Sequence, residues 1–203
     1  MRTGAARKQD GFTILELIIV AAIVIVVAAI AVPTFSPTIG LYRARAAAVS
    51  AAGLMQQARI AAIRADSFYS VKTTTGSSGT AVMWVDEDGD GSVDNNEPQI
   101  GLSSGVSFVT SPPAAISSTQ AGGFTPNVGG SSSTSWVAWS SRGLPCVPNA
   151  GSTTCSITPA SGNTGYVYYI KANAIGSTAQ YSAVTITPAG RVKVWTYDGS
   201  TWH

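Results

Sequence analysis

The sequence predicts an α+β protein: a long N-terminal helix, apolar enough in its first half to lie in a membrane, packed on an antiparallel β-sheet head. Three observations predict it. Residues 11–32, GFTILELIIVAAIVIVVAAIAV, carry one acid, Glu16, and no charged or strongly polar side chain after it. Residues 39–65 are rich in alanine, free of proline, and place apolar side chains at steps of three and four. From residue 68 onward short β-type runs alternate with Gly, Ser, Pro and Asn clusters, and the chain holds 21 glycines.

The apolar stretch comes first. Residues 12–32 span roughly 31 Å as a helix at ~1.5 Å per residue, enough to cross a bilayer. Residues 1–10 contain Arg2, Arg7 and Lys8 against Asp10, a surplus of two positive charges that equals the +2 of the whole chain. The basicity thus belongs to the leader, where it holds residues 1–10 on the cytoplasmic side, and the remainder is neutral. Glu16 is the anomaly. A carboxylate deep in hydrocarbon costs roughly 2.5–3.5 kcal/mol even on lenient insertion scales, so it requires a partner. No Lys or Arg follows it within the run. The nearest cation is the α-amino group that cleavage between Gly11 and Phe12 would create, with a pKa near ~8. That amine can come from the same chain or from a neighbour, and a neighbour's amine would fix the stagger of packed helices.

GFTILEL, with its basic leader, the Gly at the cut, the Phe after it and Pro33 beyond the apolar run, resembles the type IV prepilin signal. Usual members read GFTLIEL, so Ile14-Leu15 is a swap of equivalent apolar residues. The resemblance implies cleavage between Gly11 and Phe12 by prepilin peptidase, N-methylation of Phe12, and Glu16 as fifth residue of the mature chain with a role in assembly. It also implies a single-pass protein of the inner (cytoplasmic) membrane with its head outside the cytoplasm. Such a protein later packs helix to helix with other pilins or pseudopilins through an inner-membrane assembly platform. The plainer alternatives are an ordinary secretory signal or a simple anchor, but a secretory apolar region is shorter, about 7–15 residues, and has no acid near its start.

These readings divide the chain into a leader (1–11), a transmembrane assembly helix (12–33), an amphipathic continuation (34–66) and a β-rich head (67–203). Pro33 and Pro37 predict a bend or an unwound turn, since proline removes a donor and clashes one turn back. Leu41, Ala44, Ala48, Ala51 or Ala52, Met55, Ala58 and Ala62 form the apolar stripe, with Arg43, Arg45, Arg59 and Arg64 off it or at its edge.

In the head, strand candidates are 69–74, 80–85, 106–110, 135–139, 166–172, 181–187 and 191–197. Pro188-Ala189-Gly190 joins the last two as a hairpin, with Val184 and Ile186 on one face and Val192 and Val194 on one face. Residues 111–134 are too polar and too rich in Gly and Pro to read as an element; they are expected to form a variable surface loop, either a subunit contact or mobile. Cys146 and Cys155, an even pair in an exported head, suggest one disulfide, with two free thiols as the alternative. Closing so short a loop stabilises by roughly 2–3 kcal/mol on the chain-entropy view.

Residues 86–97, DEDGDGSVDNNE, follow the twelve-residue calcium-loop pattern. Asp86, Asp88 and Asp90 hold positions one, three and five, and Gly91 holds the turn at six. Ser92 offers a carbonyl, Asp94 a carboxylate directly or through water, and Glu97 two oxygens. Six carboxylates in twelve residues repel one another without a cation, which makes Ca2+ the expected cofactor. The preceding Met-Trp-Val reads as a strand, so no helix–loop–helix hand is expected, and an acidic solvated turn is the alternative.

The blocks Gln57-Ala58-Arg59, Ala62-Ile63-Arg64, SSRGLP at 140–145 and ITPAGRVKVW at 186–195 resemble the minor pilins and pseudopilins of the GspH/FimT (FimU) family. Some FimT-like members bind DNA through a C-terminal Gly-Arg-x-Arg. Here Arg191 and Lys193 occupy the two basic positions, and Lys keeps the charge but loses the bidentate fork. The plainer reading is two exposed residues of a hairpin strand, and a neutral mature chain gives no electrostatic footprint for strong nucleic-acid binding. No catalytic set is visible: the single histidine, His203, stands where a frayed end is expected, and the serines have no base. The expected function is structural, a minor subunit of a type IV pilus or a type II secretion pseudopilus at or near the filament tip. The alternative is a minor pilin that binds DNA or a surface ligand in DNA uptake or adhesion.

Overall fold

The computed structural model describes residues 12–75, 79–129, 136–148, 155–156, 165–173 and 178–203, without the side chains of 32–36. The leader with Gly11, residue 135 and residues 130–134 of the expected loop lie outside them.

Helix α1 runs from Ile14 to Ala65, 52 residues without interruption. Thr13 caps it, its hydroxyl accepting from the backbone N–H of Glu16 at 3.2 Å. Asp66 ends it in the left-handed region at φ 48°. The unwound turn expected at Pro33 and Pro37 is not there: the helix passes through both positions. Each proline forfeits a single i→i−4 bond, and the bonds on either side carry the helix across.

The two halves of α1 have opposite fates. Ile14–Ala31, with mean hydropathy 3.2, is long and apolar enough to cross a membrane, and none of it is buried. Further along, Ala44, Ala47, Ala48, Ala51, Leu54, Met55, Ala58 and Ala62 are all buried in the head, the face that the three-and-four spacing predicts. Arg43, Arg45 and Arg64 are exposed.

The head is two sheets rather than one. The first has the order β3-β2-β1-β6-β7-β8, formed by β1 (Tyr69–Thr75), β2 (Ala81–Asp86), β3 (Gln99–Gly101), β6 (Val137–Trp139), β7 (Pro145–Pro148) and β8 (Cys155–Ser156). The second has the order β11-β10-β9-β4, from β4 (Val106–Val109), β9 (Tyr166–Ala172), β10 (Gln180–Ile186) and β11 (Val192–Thr196), with the two-residue β5 (Asn127–Val128) running parallel to β9. Every other pairing among the described residues is antiparallel. Helix α1 packs on β9, β10 and β11 and on β1. Val184 and Ile186 are buried under it with Val192 and Val194 beside them, as the period of two predicts.

Tyr168, fully buried on β9, sews the sheets together. Its hydroxyl accepts from the N–H of Val137 on β6 at 3.0 Å and donates to the carbonyl of Val71 on β1 at 3.4 Å. Burial pushes the phenol well above its ordinary value, so it stays a neutral donor. The ring needs room: a Cβ on Gly129 would lie 2.4 Å from it.

Residues 111–129 depart from the expected loop. They contain helix α2 (Ser118–Ala121), capped reciprocally by Ser117 and Gln120. Ile116, Ala121 and Phe124 are buried with Val167, Tyr169, Ala183, Trp195 and Trp202 on the outer face of the second sheet. The N–H of Ile116 donates to the Tyr169 hydroxyl at 2.9 Å, and Trp202 Nε1 to the carbonyl of Ala114 at 2.8 Å. A few large apolar anchors thus fix a segment of polar composition. The expected fraying at His203 is absent too, because its backbone exchanges two 3.0 Å hydrogen bonds with Thr196.

Replacing Tyr168 with Phe leaves the Val137 N–H and Val71 carbonyl without their partner. The expected cost is about 1–3 kcal/mol, read as a lower denaturant midpoint at unchanged slope for the protein in detergent. A shift below about 0.5 kcal/mol, the level of an ordinary surface change, would mean the sheets do not depend on this residue.

Candidate functional site

Among the described residues three places concentrate chemistry: the start of α1, the loop between β2 and β3, and the groove beside the β10–β11 hairpin.

At the start of α1 the sequence places Phe12, Thr13 and Glu16 within the first turn and its cap. Phe12 and Glu16 are exposed. A carboxylate in a first turn faces the positive end of the helix dipole and the uncapped N–H groups. The same end therefore stabilises the Glu16 carboxylate.

Residues 87–98 connect β2 to β3 and fold back on the end of the hairpin. Asp86 is the last residue of β2 and is buried. It makes an ion pair with Lys72 Nζ from β1, and its Oδ1 accepts from the N–H of Gly89 at 2.9 Å. Glu97 is buried as well, its Oε1 accepting from the N–H of Glu87 at 2.8 Å. Asp88 accepts from Asp90 N–H at 3.0 Å and Asp90 from Ser92 N–H at 2.6 Å. Gly89 and Gly91 supply the two left-handed turns, at φ 80° and 78°. Carboxylate oxygens of Asp86, Asp88 and Glu97 lie within 4.8 Å of one another, and so do those of Asp88, Asp90 and Asp94. Two oxygen triads sharing Asp88 can hold a metal ion. Ser92 is tied to this cluster by the bond from its N–H to Asp90.

Glu97 carries the electrostatic strain of this loop. Burial raises its pKa above 4.5, the nearby carboxylates of Asp86 and Asp88 add to the rise, and the N–H groups of Glu87 and Asp94 oppose it.

The hairpin groove holds Arg191 and Lys193. Both are exposed, and both line a cavity of about 460 Å³ with Gln120, Phe124, Thr185 and Trp195. Lys193 Nζ rests 3.3 Å over the Trp195 ring, and Trp195 Nε1 donates to Thr185 Oγ1 at 2.8 Å. Elsewhere in the head, Cys146 and Cys155 form a disulfide between β7 and β8, with Cα atoms 5.7 Å apart. His203 uses one nitrogen, Nε2, toward both Asp198 (2.7 Å) and Thr201 (2.8 Å). A relay needs a different ring nitrogen for each partner.

Two residues organise these sites: Lys72, which sequence reasoning passed over, and Arg59, which it placed at the edge of the helix stripe and in a block of family resemblance without assigning it a contact. Lys72 is paired across β1–β2 with Trp84, which puts it diagonal to Asp86 on one face of the sheet; the alternation in YSVKTTT was the available signal. Arg59 donates from Nη1 to the carbonyl of Gly190 at 3.1 Å and lies 5.6 Å from the Trp139 ring centre. A Cβ on Gly143 would come within 3.0 Å of its Nε. Three blocks far apart in sequence, around residues 59, 143 and 190, therefore meet at one guanidinium.

Residues 6–32 match the family described as the prokaryotic N-terminal methylation motif. No curated protein and no solved structure matches the chain. The chain thus carries a type IV prepilin-like signal. One continuous helix joins it to an antiparallel β-sheet head, an arrangement consistent with the α+β pilin fold.

Because burial keeps the Glu97 carboxyl protonated to higher pH in the folded state, the unfolded chain loses its proton first as pH rises. Stability therefore falls with pH from about 4.5 up to the raised folded value. Melting curves in chelator between pH 4 and 8 should show this fall, and Glu97→Gln should remove that part of it. An identical profile in the variant would place the titration elsewhere.

Proposed function

We propose that this protein is a structural subunit of a type IV pilus or type II secretion pseudopilus, of the GspH/FimT minor kind, placed at or near the filament tip. In this reading prepilin peptidase cuts between Gly11 and Phe12 and methylates the new amine. The subunit waits in the inner membrane with its head outside the cytoplasm, then leaves the bilayer through an assembly platform. One observation carries the reading: Ile14–Ala31 is wholly unburied, contains Glu16 as its one charge, and lies within the matched methylation motif. Lipid covers this surface first and neighbouring helices cover it afterwards, so assembly offsets the loss of hydrocarbon contact. Tyr42, Val49 and Ile60 are exposed on the side of α1 opposite its buried alanines, at 100° per residue, which extends the packing surface along the head.

Glu16 gives the stack its register. Bound to the methylated amine of a neighbouring Phe12, it is neutralised at one axial offset and left unpaired at others. Nothing in this role requires catalysis. The 86–97 loop adds a calcium site, with Asp86, Asp88 and Glu97 as the inner donors, Asp90, Asp94 and the Ser92 carbonyl completing the set, and oxygen as the donor type that calcium prefers.

A second reading, a head that binds DNA or another anionic ligand, is favoured by Arg191 and Lys193 lining one cavity. Against it stand the neutral mature chain and the seating of Lys193 on Trp195.

Glu16→Ala should be cut and methylated normally yet enter filaments poorly, by at least about tenfold, in sheared-filament immunoblots. Incorporation equal to wild type would remove Glu16 from the account. In gel shifts with duplex DNA at about 0.15 M salt, the full-length protein in detergent should leave the band unmoved. A retarded band that disappears with Arg191→Ala would favour the ligand-binding reading.

A further inference from the structure

Six carboxylates crowd into residues 86–97, yet the loop is closed and two of its acids are buried. A buried carboxylate without a counter-charge is unfavourable enough to shift its proton or open the loop. Lys72 supplies the counter-charge from the neighbouring strand. Its side chain is 12 % exposed and that of its partner Asp86 is 2 % exposed, so this is a buried ion pair rather than a surface one. The ammonium also faces the Trp136 ring, 5.0 Å from its centre, and the register pairs Lys72 with Trp84. From above, the loop closes on it at Gly91, where even a Cβ would come within 3.3 Å of Nζ. Gly91 is the turn residue at position six of the loop, and Asp86 the donor at position one. The lysine head therefore lies against both the first donor and the sharp turn.

We propose that the ammonium of Lys72 is the resident cation of the 86–97 loop: it closes the loop without metal, and calcium engages Asp86 only by displacing it. The second half of this statement rests on the calcium reading above; the first half stands without it. Displacement is costly because Lys72 and a divalent ion repel at contact distance and because both oxygens of Asp86 are already engaged, Oδ2 by Lys72 and Oδ1 by the N–H of Gly89. Ligand charge tunes calcium affinity in loops of this kind, so an internal positive charge sets it low.

The test uses the full-length protein in detergent, as wild type, Lys72→Met and Lys72→Arg. Each is melted in chelator and across a calcium chloride titration, with tryptophan fluorescence as a second readout because Trp84 and Trp136 flank the lysine. In chelator, Lys72→Met should melt several degrees below wild type and Lys72→Arg close to it. Calcium should restore Lys72→Met with a half-saturation at least about tenfold lower than that of wild type. If Lys72→Met is destabilised but calcium fails to restore it, the resident cation stands and the calcium reading falls. Equal melting of Lys72→Met and wild type in chelator would overturn the proposal, as would equal calcium affinity in the two proteins.

Discussion

Everything in this molecule answers to one constraint: a single unbroken helix must satisfy two different surroundings. Between Ile14 and Ile30 a dozen Ile, Leu and Val side chains stand exposed. At about 1.5–3 kcal/mol for each such side chain buried, leaving them in water forgoes roughly 20–35 kcal/mol, more than the ~5–15 kcal/mol by which a domain is folded at all. Lipid or other helices must cover them. Past residue 40 the same helix turns to alanine on the face that meets the head. Small side chains let two sheets approach the backbone closely, so the head is fixed to the rod along its length rather than tethered to its end.

Charges in apolar surroundings follow a common rule in the rod and in the head. Glu97 answers burial with a raised pKa, while Asp86 and Glu16 call for a cation, and the identity of that cation decides what each site does. At Asp86 the partner is internal, the Lys72 ammonium held against Trp136. At Glu16 no side chain of the helix can serve; in the proposed assembly the partner is an amine made by proteolysis and delivered by a neighbour. The first closes a loop within one subunit, and the second sets a distance between subunits.

Much of this was legible in the residues because periodicity records burial. Steps of three and four between Ala44 and Ala62 report the covered face of α1, and alternation in β10 and β11 reports the face turned to it. What the sequence hid depends on partners distant in the chain. β3, β7 and β8 are two to four residues long and exist by virtue of pairing, so the split into two sheets could not be read locally. Two prolines in β7 read as loop because Pro at a sheet margin and Pro in a turn look alike. Ile116 and Phe124 are too few to give residues 111–129 an apolar texture, yet they anchor it. Lys72 emerges only once β1 and β2 are set in register. The prepilin-like signal was legible in full, because leader charge, glycine, acid and apolar length coincide within thirty residues.

The most direct measurement is the intact mass, with fragmentation of the N-terminal peptide, of the protein recovered from sheared filaments. A chain beginning at Phe12 and carrying one methyl group on its amine is the predicted result. A chain that still includes Met1 through Gly11 would contradict it, because Glu16 would then have no amine to meet.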